Sequence, residues 1–219
     1  INGEIKSELK LDNTNVDNNV FRKKTSIFES FLLNGNINSS FKINFDNTLK
    51  IIDYSLKASG NLKNSEFKFK IPQKYIFIKN DIKIINFDKT KFNINLGKDK
   101  RNKIDFKGQY RVNNKSLQNI NFKNSFTSNN QLITFSVVSD REINIPLINF
   151  NTKDKITKIE SELKVDKNFI RINKFVLQEG NSRINLDKLI FKKKRLEKFK
   201  KITVKTFKNN NLNNDFRIQ

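Results

Sequence analysis

The chain is 219 residues long and carries 44 Lys and Arg against 22 Asp and Glu, a formal net charge of +22. It has no Cys, His, Met or Trp, so disulfides, thiolate nucleophiles, imidazole bases and the usual zinc ligands are outside its repertoire. Apolar residues make up 36%, low for a thick globular core, and a thin, spread sheet needs less apolar mass than a sphere.

A charge of +22 invites a nucleic-acid reading. However, Lys, Asn and Ile are overused together, as an AT-rich coding sequence would produce, and Lys is spread along most of the chain. A solvated cationic face is the ordinary explanation, and nucleic acid is not the expected partner. No run approaches the roughly 18 apolar residues of a transmembrane helix. The missing Met leads us to expect an excerpt of a longer protein, with any targeting or membrane segment elsewhere. We read 1–219 as a single elongated β segment.

Ile1–Leu11 alternates as a first strand, and Asp12–Asn19 has the Asn and Asp content of a loop. Ser26–Leu33 reads equally as a short helix, with a capping box at Ser26-Ile27-Phe28-Glu29, or as a strand, since Ser26, Phe28, Ser30 and Leu32 alternate. Ile37–Phe45 is a strand ended by Asp46-Asn47. Ile52–Leu62 alternates without a fault, with Ile52, Tyr54, Leu56, Ala58, Gly60 and Leu62 on one face. The turn chemistry of Lys63-Asn64-Ser65-Glu66 then predicts a β-hairpin whose second arm carries Phe67, Phe69 and Ile71. Tyr75–Lys79, after Pro72, reads as a strand covered on both faces.

Ile82–Phe87, Phe92–Leu96 and Ile104–Val112 follow, the last two joined by a charged tip at Lys98–Asn102. Ile120–Phe126, Leu132–Val138, Ile143–Phe150, Ile159–Val165, Phe169–Leu177 and Ser182–Phe191 continue the series, with Glu179-Gly180-Asn181 the clearest turn. Lys192–Phe207 reads as a hairpin turning near Lys194–Glu197. The fold class is therefore all-β, a long antiparallel meander of about 14 strands, which must roll into a groove, split into a sandwich or fold over, because open sheets rarely exceed about 10 strands. Its weakest joints are Asn113–Gln118 and Thr152–Thr157.

Nothing in the pattern points to catalysis. Glu160 and Glu162 share one side of a strand but read as solvated acids, and Ser59-Gly60-Asn61 is a lone glycine in a strand and not a phosphate loop. We expect no cofactor and no metal site. The sharpest charge cluster, Lys192, Lys193, Lys194 and Arg195 with Lys198, Lys200 and Lys201 beyond it, is either an exposed hairpin tip or a contact for anionic headgroups. The apolar faces carry more. Phe41, Ile43 and Phe45 on one strand, then Tyr54, Leu56, Ala58 and Leu62, would align with Phe67, Phe69 and Ile71. Phe92, Ile94 and Leu96, with Ile104 and Phe106, would extend the same floor, buried in a sandwich or lining a groove in a rolled sheet.

The Lys/Asn-punctuated strands, Tyr54-Ser-Leu-Lys-Ala-Ser-Gly-Asn-Leu62 and Phe175-Val-Leu-Gln-Glu-Gly-Asn-Ser-Arg-Ile-Asn-Leu186 among them, resemble the periplasmic part of AsmA-like proteins. The likeness is to the large YhdP/TamB branch with its DUF3971-type region, and it is one of pattern across most of the chain. It implies a periplasmic β-groove open along one side (a "β-taco"), anchored to the inner membrane by a segment outside this sequence. It also implies phospholipid as the partner, carried between inner and outer membranes on an apolar interior.

Overall fold

The computed structural model describes residues 2–17, 27–75, 77–98, 101–152, 155–193 and 195–219. In chain order its strands are β1 (Asn2–Asp17), β2 (Phe28–Phe45), β3 (Ile51–Leu62), β4 (Ser65–Tyr75), β5 (Ile78–Gly97), β6 (Asn102–Val112), β7 (Gln118–Phe126) and β8 (Asn130–Ser139). They continue as β9 (Asn144–Ile145), β10 (Phe150–Asn151), β11 (Thr157–Asp166), β12 (Phe169–Glu179), β13 (Ser182–Lys192), β14 (Arg195–Lys198), β15 (Lys201–Lys208) and β16 (Asn211–Ile218). All but β9 and β10 belong to one 14-stranded antiparallel sheet, whose main path runs β1-β2-β3-β5-β6-β7-β8-β11-β12-β13-β15-β16. The fold is all-β, as period-2 alternation dictates.

Several expected elements take a different form. Phe28–Leu33 is strand, and no α-helix occurs among the described residues; Ser26 lies outside them. A two-turn helix buries little and nucleates poorly, whereas the extended form packs Phe28 against Phe69 at 4.8 Å and Phe31 edge-on to Phe67 at 5.3 Å. The expected loop from Asp12 is strand as far as Asp17. Tyr75–Lys79 is not a covered strand: Phe77 sits in the turn between β4 and β5, with Tyr75 54% and Phe77 52% exposed, and Ile76 lies outside the described residues. Ile143–Phe150 is broken by Pro146, which opens a 3-10 turn over Pro146–Ile148 between the two-residue strands β9 and β10.

The largest correction concerns Lys63–Glu66, which is not a hairpin. Both β3 and β4 run antiparallel to β2 and to β5, so they point the same way along one strand path. At the join Asn64 takes a left-handed φ of 46°, and Lys89 on β5 takes the same value. Each strand absorbs an extra residue, so Leu62 faces Thr90 before the irregularity and Ser65 faces Phe87 after it. The expected strands Ile82–Phe87 and Phe92–Leu96 are likewise two halves of β5.

These irregularities line up across neighbouring strands as a crease. On β1 the register shifts between Leu11 and Thr14, and on β2 Gly35 has φ 144°. A side chain at Gly35 would run into the carbonyl of Asn61, and one at Gly108 on β6 into the backbone of Thr90. Hydrogen bonds stitch the line. Lys63 N donates to Asn34 O at 2.8 Å, the fully buried Ser65 Oγ donates to the same carbonyl at 2.9 Å, and Thr90 Oγ1 donates to Gln109 O at 2.8 Å.

At the other end, residues 140–152 leave the sheet between β8 and β11 and cross its apolar side as a strap. Ile143 and Phe150 of the strap pack with Leu177, Ile184 and Val204 into a closed core, each 6% exposed or less. One bank of the strap is tied to the start of β5: Asn144 N donates to Phe77 O at 2.9 Å, and the buried Arg141 guanidinium donates to Asn80 O. The other bank is tied to β16, where Asn214 Nδ2 donates to Ile148 O at 2.7 Å. In a flat sheet β5 and β16, eight steps apart on the path, would be separated by about 38 Å. Residues 144 to 148 span at most about 14 Å. The sheet and its β4–β5 arm together therefore bend toward the apolar side.

Candidate functional site

The register of the ladders gives the strands of the main path one apolar and one polar face. One cross-strand row reads Leu9, Ile37, Gly60, Phe92, Phe106, Phe122, Phe135, Ser161, Phe175, Leu186, Ile202 and Ile218, each directly opposite the next. It crosses all twelve strands of the main path, about 53 Å at one strand spacing per step. The row beside it runs Ile120, Val137, Ile159, Leu177, Ile184, Val204 and Phe216. No Lys or Arg falls in either row. The next row on the opposite face reads Asn61, Lys91, Lys107, Asn121, Ser136, Glu160, Val176, Asn185, Thr203 and Arg217, all polar but Val176.

Fourteen of the fifteen expected floor residues lie on this apolar face. Phe41, Leu56 and Leu96 are in direct opposition, as are Ile43 with Tyr54, and Ala58 with Ile94 and Ile104. Phe45 meets Ile51 across a register shift, and Leu62, 4% exposed, packs at the crease. Phe67 and Phe69 join through aromatic contacts. Rings run Phe28, Phe31, Phe67, Phe87, Phe106, Phe122 with centroid separations of 5.1, 5.3, 5.3, 6.2 and 6.3 Å, and Phe92 branches from Phe106 at 6.4 Å. Ile71 is the exception. It falls where β4 leaves the ladder between Lys68 and Gln73, and it is 73% exposed.

The expected floor stopped at Phe106, yet the face continues through Phe122, Phe135, Phe175 and on to Ile218. The signal was present in the alternation of Ile120–Phe126 and Phe169–Leu177. β16 went unrecognised altogether. Its marker is Asn209-Asn210, both with positive φ (52° and 65°), the two-residue loop that a tight hairpin prefers.

Beyond the strap no described segment crosses the face. The accessible surface is 15168 Å², against about 10,500 Å² for a compact globule of this mass. Phe106, Phe122 and Phe135 are only partly buried, and towards β1 Leu9 and Ile5 are 49% and 68% exposed. Near the crease, burial raises the pKa of Tyr110, whose hydroxyl donates to Val138 O at 2.9 Å.

The polar face holds balanced clusters. Glu160 lies 2.7 Å from Lys158 and 3.0 Å from Lys174, and hydrogen bonds from these two lysines, Lys158 first, lower its pKa. Glu162 accepts from Asn173 at 2.6 Å. Of the basic tip, Lys192 ends β13, Lys193 turns at φ 47° and Arg195 begins β14, which pairs back at once; Lys194 lies outside the described residues. Leu196 and Ile170, both 46% exposed, flank this tip. Among the described residues no group of three or more acidic side chains could hold a metal ion, and no helix is long and apolar enough to cross a membrane. No family model, curated protein or solved structure matches the chain.

Proposed function

We propose that this chain is a lipid-binding segment of an AsmA-like bridge protein, carrying phospholipid between the inner and outer membranes along its apolar face. On this reading the sheet curls into an open groove in the periplasm, held at the inner membrane by a segment other than those present here. Acyl chains lie on the floor and headgroups stay at the wet margin. The observation that carries the reading is an apolar row without Lys or Arg, in a chain with 44 of them, that runs across twelve strands and that no described segment covers beyond the strap. Each methylene moved from water to such a floor contributes about 0.8 kcal/mol, so a two-tailed lipid has ample driving force and no chemical step is needed. The basic tip around Lys192, Lys193 and Arg195, with Leu196 beside it, suits anionic headgroups. Binding of nucleic acid is the weaker reading, because the lysines of the outer face are interleaved with acids such as Glu160 and Glu162.

Native mass spectrometry of the purified, nuclease-treated chain, followed by organic extraction, tests the proposal. The expected result is at least one phospholipid per chain. A clean apo mass from a folded sample would overturn it and leave a structural role for the face.

A further inference from the structure

We infer that a cavity at the root of the strap, walled by Arg141 and Lys115, is a binding site for a phosphate group. The cavity holds about 280 Å³ and is lined by Asn80, Asn113, Asn114, Lys115, Arg141 and Glu142. Pockets for larger molecules begin at roughly 300 Å³, so this one suits a small charged group, with any attached molecule left outside.

Arg141 is a buried cation without its counter-charge. It is 7% exposed, yet among the described residues its only side-chain hydrogen bonds are those that Nη2 donates to two backbone carbonyls, Asn80 O and, at 3.5 Å, Asp81 O. Its Nε is buried with no acceptor. Burial lowers its pKa, and the charges of Asp140, Tyr110 and Asp81 offset this only in part, none of them being within ion-pair reach. Leaving a buried charge unpaired is costly. The acids of the neighbourhood are engaged elsewhere. Asp140 accepts from Ser116 N at 3.0 Å and from Ser116 Oγ at 2.7 Å, while Glu142 is held by Lys79 at 3.0 Å and by Asn151 at 2.8 Å. Lys115, exposed on the turn between β6 and β7, has no ion pair among the described residues.

The frame around the cavity is fixed in advance. Arg141 N donates to Ser139 Oγ at 3.2 Å, and Arg141 O accepts from Thr152 Oγ1 at 3.4 Å. Asn113, at φ 55°, accepts from Lys83 N and Ile84 N at 3.0 and 3.1 Å and donates to Asp81 O at 3.0 Å. A guanidinium with a lysine point charge beside it suits phosphate oxygens, and two cations match the double charge of phosphate better than the single charge of a carboxylate. Arg141 stands on the strap, Lys115 on the β6–β7 turn and Asn80 on β5, so a bound phosphate fastens the strap where it leaves the sheet. Inorganic phosphate and a lipid headgroup offer the same chemistry here.

Calorimetric titration of the folded chain with inorganic phosphate, at an ionic strength held constant with chloride, tests the site. Saturable one-to-one binding in the millimolar range or tighter is expected. Amide exchange should slow at Lys79 and Asn144, whose N–H groups tie β5 and the strap together at 3.2 and 2.9 Å. Lys115→Glu, on an exposed turn where folding is not at stake, is expected to weaken binding about tenfold or more, and Arg141→Gln to abolish it. Lys57→Glu, on the polar face of β3, changes the net charge equally and is expected to leave binding unaltered. Absence of saturable binding overturns the proposal. So do equal losses from Lys57→Glu and Lys115→Glu, which would mean the general field of a chain at +22. A parallel titration with dihexanoyl phosphatidylglycerol below its micellar concentration identifies the source. Tighter binding than inorganic phosphate, with the same dependence on Lys115, assigns the site to headgroups, and weaker binding assigns it to free phosphate. The lipid-carrier reading is scored separately by organic extraction and can fail while the phosphate site stands.

Discussion

The two ends of the sheet carry the same apolar face but are ordered by different means. Under the strap, Phe150 and Leu177 are each 2% exposed and Ile143, Ile184 and Val204 close around them, so that end holds together as an ordinary core does. Around β2, β3 and β5 no described segment crosses above the floor; Leu62 and Phe92 are buried beside the crease, but Ile43, Ile94 and Leu96 remain partly exposed. Order there comes from the long ladders and from the crease. The lesson is that one alternation pattern supports two physical states, and what decides between them is whether another segment of chain crosses above it.

One charge placed at each end separates the two states by the largest effect. Leu177→Asp buries an unpaired carboxylate under the strap, at a cost of about 4 kcal/mol or more, a large share of a typical stability of about 5–15 kcal/mol. Ile94→Asp puts the same group on the open floor, where water reaches it, and costs about 1 kcal/mol. Urea melts of the two variants read the difference. Unfolding of both would mean that the open floor is in fact enclosed. With Ile94→Asp folded, the lipid reading further expects the co-purifying phospholipid to be lost.

A smaller effect tests the crease as the source of order at the open end. Gly60 lies where an added Cβ would strike Asn36 O and come within 3.0 Å of the Phe92 ring. Gly60→Ala therefore forces β2 and β3 apart or displaces that ring, an overpacking cost of about 1–3 kcal/mol. Hydrogen exchange should show the loss of protection in β2, β3 and β5 and not in β11–β13. Uniform loss across the sheet would mean that the two ends are not separately ordered.

How much of this could be read from the residues depended on whether a feature is written in the period. Alternation of two places Phe41, Leu56, Phe92 and Phe106 on one face, because side chains of a strand have no other choice. It does not say whether Lys63-Asn64-Ser65-Glu66 reverses the chain. A hairpin turn and a bulge both use a residue such as Asn64 at positive φ, and only the neighbours Asn34 and Asp88, about 30 and 24 residues away in sequence, settle which forms. The strap was equally hidden. Ile143, Ile145 and Phe150 have the look of a strand, and Pro146 was the single local sign that the pattern breaks there. Its destination, the face formed by Leu177, Ile184 and Val204, is a tertiary fact that no local window contains.

The smallest effect concerns acid. Glu160, behind the covered end, has its pKa lowered first by the hydrogen bond from Lys158 and then by that from Lys174; Glu4, at the open edge, has its pKa lowered chiefly by the hydrogen bond from Lys42. In both cases the folded pKa lies below the unfolded one. The stabilisation is thus complete above the ordinary glutamate pKa and is lost as pH falls through the depressed value. Both groups reach solvent, so each effect is slight, but the two should register differently. Loss at Glu160 is expected to appear in the global melt, because its partners lie on β11 and β12, which the strap core fastens. Loss at Glu4 is expected to appear as fraying of β1 alone, since Lys42 on β2 is its main partner. Glu160→Gln should flatten the acid limb of global stability, while Glu4→Gln should flatten only the acid dependence of amide exchange in β1. If both substitutions change the global curve alike, the open end is coupled to the covered end as one cooperative unit, and the separation argued from the strap does not hold.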